Sequence, residues 1–128
     1  MISELVTNRF RVKVRANFVP NQSDPVLNRF LYAYRICITN EGDCAATLKR
    51  RHWIISDGFD KVEEVKGEGV VGEQPRIKPG ESYEYSSCCP LNTQYGIMQG
   101  IYHMETDDGH AFQIEISPFK LYIPALAN

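Results

Sequence analysis

No apolar run in this 128-residue sequence approaches the length of a membrane-crossing helix. The opening MetIleSerGluLeuValThr lacks the basic start and apolar centre of a secretory signal, so the expected compartment is the reducing cytoplasm. Cysteine is sparse, with Cys37, Cys44, Cys88 and Cys89 the only four. None belongs to a CysXxxXxxCys pair, so the spacing supports neither a zinc site nor a disulfide framework. Charge of one sign is not in excess either. Fourteen Lys and Arg against 16 Asp and Glu leave a net charge of -2, which weighs against a general nucleic-acid binder. No stretch repeats apolar residues at the helical period, which points away from a helical core.

What the chain has is alternation. Across residues 9–18, Phe10, Val12, Val14, Ala16 and Phe18 share one parity and Arg9, Arg11, Lys13 and Arg15 the other, which predicts a strand with one buried face. Residues 29–39 repeat the pattern with Phe30, Tyr32, Tyr34, Ile36 and Ile38. Residues 45–56, around the single Trp53, predict a third strand, and shorter extended pieces are expected at 61–66, 70–77 and 82–88. Residues 97–106 and 111–117 bracket AspAspGly as a hairpin, and Phe119, Leu121 and Ile123 mark a last strand. About eight short strands with polar turns predict an all-β, antiparallel immunoglobulin-like sandwich, with a small barrel as second choice. Length and an ordinary 43% hydrophobic content suit one domain spanning residues 1–128.

Residues 67–72 read GlyGluGlyValValGly, the outline of a dinucleotide-binding fingerprint. Such a fingerprint needs a following helix to hold the pyrophosphate, and Pro75 and Pro79 leave no room for one. Gly67, Gly69 and Gly72 remain candidates for a helix-free nest of amides around a phosphate. Glu63, Glu64, Glu68 and Glu73 crowd the same segment, oppose a polyphosphate and instead suit a partner surface. The plainer expectation is that the glycines shape a bulged connection between strands.

Three other groupings carry weaker chemistry. Arg9, Arg11, Lys13 and Arg15 form a basic ladder that either tracks an anionic partner or protects an edge strand from aggregation. His103 and His110 flank the AspAspGly turn near Glu105, Asp107 and Asp108, but without an established ligand spacing. Ser86, Ser87, Cys88 and Cys89 have no base or oxyanion hole that the sequence can supply. No catalytic group, metal or cofactor is therefore expected.

From Trp53 onward a longer pattern emerges: IleSerAspGly, then ValGluGluValLysGlyGluGlyValValGlyGluGlnPro, ProGlyGluSerTyrGluTyrSerSer, GlyIleMetGlnGlyIleTyr and PheLysLeuTyrIlePro. Together these resemble the ApaG family. The resemblance implies a fibronectin type III-like or immunoglobulin-like sandwich and no particular reaction. It also implies a gene that neighbours that of a diadenosine tetraphosphate hydrolase, a link to cobalt and magnesium handling, and, from similar domains in an F-box protein and a polymerase delta-interacting protein, a protein-binding role. The resulting expectation is a non-enzymatic cytoplasmic module that binds a protein partner through the loop and strand edge at residues 63–75. The alternatives are nucleotide or pyrophosphate binding at the glycine run and a role in cobalt or magnesium handling.

Overall fold

Alternation becomes burial in strand after strand. In β2 (Phe10–Phe18) Phe10, Val12, Val14 and Ala16 are buried while Lys13 and Arg15 face solvent. In β3 (Phe30–Asn40) Phe30, Tyr32, Tyr34, Ile36 and Ile38 are buried. Successive side chains of a strand point to opposite faces, so each strand lends one face to a core. The computed structural model describes residues 2–124; Met1, which starts the segment read as carrying no signal, and the tail at 125–128 lie outside the described residues.

The other strands are β1 (Ile2–Thr7), β4 (Ala46–Asp57), β5 (Val62–Glu68), β6 (Arg76–Ile77), β7 (Ser82–Leu91), β8 (Tyr95–Thr106) and β9 (Ala111–Tyr122). They build two antiparallel sheets ordered β1-β2-β3-β7 and β5-β4-β8-β9, with β6 pairing β4 beyond the end of β5. This is the expected all-β antiparallel sandwich. Trp53 sits at its centre, edge-on to Tyr34 at 5.6 Å, Phe119 at 6.0 Å and Tyr102 at 6.3 Å between ring centroids. Such aromatic pairs add about 0.5–1.5 kcal/mol each beyond their buried area. Among the described residues no helix is long and apolar enough to cross a membrane.

Three expectations need correction. The basic strand is not an edge, because β1 pairs with it from Ile2 opposite Arg15 to Thr7 opposite Phe10. Its ladder is also partly neutralised, since Arg11 meets Glu41 at 2.7 Å and Glu4 at 3.5 Å. Residues 70–77 are mostly a turn, with only Arg76 and Ile77 in strand. The last two expected strands are one, β9, which runs unbroken through Ser117 and Pro118. There Met98 faces Phe119 and Gly100 faces Ile116, so Gln99 stands against two residues. That bulge switches the inward parity from Ile114 and Ile116 to Phe119 and Leu121.

A second bulge, in β4 between Leu48 and Arg50, does the same for the site. Ala46 and Leu48 face the core before it and Trp53 after it. The extra residue places Arg51 on Trp53's face of the sheet, the inner one.

The sandwich has two unlike sides. At one, β1 lies against β9: Ser3 Oγ donates to the Ser117 carbonyl at 3.3 Å, Asn8 Nδ2 to that of Gln113 at 2.6 Å, and the Glu115 amide to Thr7 Oγ1 at 3.3 Å. At the other side the end strands β5 and β7 leave a cleft between the sheets.

Candidate functional site

The cleft has a volume of about 350 Å³, and Arg51, Trp53, Glu63, Val71, Tyr85 and Cys89 are among its lining residues. Strand parity explains the mixture. Arg51, Ile55 and Glu63 share the inner face with Trp53 and Val65, because Ile55 pairs with Glu63, Trp53 with Val65 and Arg51 with Gly67. The guanidinium of Arg51 lies over Gly67, its Cζ 2.7 Å from where a Cβ at that position would sit. Its Nη1 donates to the carbonyls of Glu68 and Gly69, each at 2.9 Å.

Behind the guanidinium is a buried hydroxyl pair, Tyr85 and Tyr102, with oxygens 2.5 Å apart. Burial raises both phenols above their ordinary range, and in each case the Arg51 charge opposes it. Both hydroxyls therefore stay protonated at neutral pH. Burial pushes the Cys89 thiol up to about 11, with Glu63 and Cys88 adding to the rise. A thiol in that state is a poor nucleophile, which leaves Cys89 without the activation that covalent chemistry needs.

The glycine run is tied into the backbone. Gly67 belongs to the ladder opposite Arg51. Gly69, at φ +59°, donates its amide to Lys49 O at 2.8 Å. Val70 and Glu73 exchange amide bonds of 2.8 and 2.9 Å, closing a tight turn whose central residues, Val71 and Gly72, both have positive φ. The amides of Gly69, Val70 and Glu73 thus end on carbonyls and do not converge on one open point.

The four glutamates are dispersed. Glu63 lines the cleft; Glu64 is on the outer face, with Oε2 3.7 Å from His52 Nε2. Glu68 shares that outer parity. Glu73 reaches across to β7 and accepts a 2.8 Å bond from the Tyr83 hydroxyl, strapping one end of the cleft.

The AspAspGly hairpin does not bring its histidines together. His103 pairs with Gln113 on the outer face, whereas His110 stacks on Phe112, whose ring packs against Phe10. Among the described residues no three His, Cys, Asp or Glu side chains are grouped to hold a metal ion.

Arg51 and the tyrosine pair are the features that sequence reasoning missed. The available signal was the change of inward parity between Leu48 and Trp53, which marks a bulge.

The strand edge beside the cleft is also defined. Asp57 donates to Lys61 O at 3.0 Å at one end of the β4–β5 ladder, and Gly69 to Lys49 O at the other. Hydrogen-bonded pairs alternate in an antiparallel ladder, so Glu63, Val65 and Gly67 turn their amides and carbonyls toward β4. Those of Val62, Glu64, Lys66 and Glu68 point away from it, to a side where, among the described residues, no strand pairs.

Comparison with known proteins agrees with this architecture. A sequence model of the ApaG domain matches residues 20–106. Protein ApaG of Aromatoleum aromaticum is 50% identical over 127 residues, covering 99% of this chain and all of the relative. The corresponding protein of Anaeromyxobacter dehalogenans is 46% identical over the same span, with the same coverage of both chains. The crystal structure of the ApaA protein from Bordetella pertussis superposes with a TM-score of 0.87 at 46% identity, covering 90% of this chain and 94% of that one. Matched in sequence nearly end to end and in fold across both sheets, the chain belongs to the ApaG family.

Proposed function

We propose that this chain acts in the cytoplasm as a single-domain, non-enzymatic module that binds protein, taking an extended segment of its partner along the free edge of β5 and against the neighbouring turn at residues 70–73. The observation that carries this reading is the row of outward backbone groups at Val62, Glu64 and Lys66 beside an open inter-sheet cleft. Strand addition at such an edge supplies affinity through main-chain bonds, and side chains entering an adjacent pocket supply selectivity. The cleft offers Arg51, Glu63 and an apolar wall for that purpose. Four free cysteines accord with a reducing compartment. The phosphate reading at Gly67, Gly69 and Gly72 has less support, because the Gly69 amide already ends on the Lys49 carbonyl and Gly67 is held in the ladder opposite Arg51.

A photo-crosslinking side chain installed at Glu64, and in a control at Lys13 on the first sheet, tests the proposal in living cells. The expected result is a discrete protein adduct at position 64 that is absent at position 13. Lys66→Pro removes one outward amide while leaving the β4 ladder intact, since edge strands tolerate proline where the amide faces away. It should fold normally and lose the adduct. Equal, diffuse labelling at both positions, or an adduct unaffected by Lys66→Pro, overturns the reading.

A further inference from the structure

We infer that the segment which occupies the β5 edge is β5 of a second copy, paired antiparallel about a two-fold axis through Val65. This rests on the edge-binding reading above and names its partner. The outward backbone groups belong to even-numbered residues, so a self-paired ladder must match even positions with even positions. Centring on Val65 pairs Glu64 with Lys66 of the other copy, and Lys66 with its Glu64, as hydrogen-bonded pairs. A centre at Glu64 instead opposes Glu64 to itself, and a centre at Lys66 opposes Lys66 to itself. Like charges directly opposite destabilise a ladder. The Val65 centre is the register that overlaps all seven residues of β5 with opposite charges facing.

The inner face agrees independently. The same register sets Glu63 opposite Gly67 of the second copy, and Gly67 is the residue over which Arg51 lies. Each Glu63 carboxylate therefore meets a guanidinium across the seam. Glycine at 67 leaves the space for that guanidinium. The pairing also carries the exposed Phe59 tip of one copy toward the exposed Val71 turn of the other, each six positions from the axis; these side chains are 85% and 56% exposed in the single chain. Exposed apolar tips that meet on assembly lose their contact with water. The two β5-β4-β8-β9 sheets join into one continuous sheet, and the two clefts open toward each other.

A contact built on one seven-residue edge strand is small beside the roughly 20–30 residues a side, about 1,600 Å² in all, of standard stable interfaces, so the dimer should be concentration-dependent. Sedimentation velocity from micromolar to about 1 mM protein should show monomer giving way to dimer at the top of that range. Glu64→Lys and Lys66→Glu should each abolish the dimer while melting like wild type, and the double swap should restore it. A species that stays monomeric throughout, or a dimer that survives both single reversals, overturns the inference. The position-64 adduct separates this failure from that of the edge-binding reading. An adduct of twice the chain's mass supports self-pairing; one to a different polypeptide overturns self-pairing while leaving edge binding intact.

Discussion

Arg51 and Gly67 face each other across the β4–β5 ladder, and the space a side chain would take at 67 is filled by the guanidinium. Gly67→Ala must push Arg51 away from the Glu68 and Gly69 carbonyls that its Nη1 bonds. Bonds to a charged donor contribute about 1.5–3 kcal/mol when well formed. Because this one is partly solvated, the expected loss is about 1–2 kcal/mol, read as a lower urea midpoint with an unchanged slope.

Val71 sits at φ +44° in the turn closed by Val70 and Glu73. A β-branched residue is strained there, by about 1–3 kcal/mol, whereas Asn followed by Gly suits a turn with two positive φ values. Val71→Asn should therefore raise the stability by about 1 kcal/mol, visible as an upward shift of the thermal midpoint.

Tyr85 and Tyr102 share one buried hydrogen bond, and removing either hydroxyl orphans the other. Each single change to Phe should destabilise by about 1–3 kcal/mol. The double change should cost less than the sum, and a double-mutant cycle in urea measures the difference. Strict additivity would show that the two oxygens do not bond.

His103 has its folded-state basicity lowered below the ordinary 6.5, first by burial and then by the Arg50 and His52 charges. As pH falls, the unfolded chain binds this proton before the folded one does. Stability is thus fully present above the unfolded value and declines as pH drops through it toward the lower folded value. His103→Asn should flatten the change in urea midpoint between about pH 7.5 and 5. An identical slope in the variant would remove His103 as the source.

Most strands were legible because their inward residues are apolar and alternate. β1 was not, since its one buried side chain is Ser3 while Ile2 and Val6 are 52% and 42% exposed. Its inward hydroxyl is used for a bond to β9, which no local pattern announces. The run from Gly67 to Gly72 was visible as a shaped connection, yet the Gly69 amide ends on the carbonyl of Lys49, distant in sequence, which no local pattern shows. Arg51 was hidden by its position in a run of basic residues at 49–52, where only the bulge decides which of them turns inward.

The bonds that join Ser3, Thr7 and Asn8 with β9 act as the spine of a book. They fix one margin of the sandwich, so any separation of the sheets must swing about that margin and widen the β5/β7 mouth the most. Glu73 to Tyr83 is then a clasp on the fore-edge, and its breaking would admit a bulky side chain while the spine side keeps its registry.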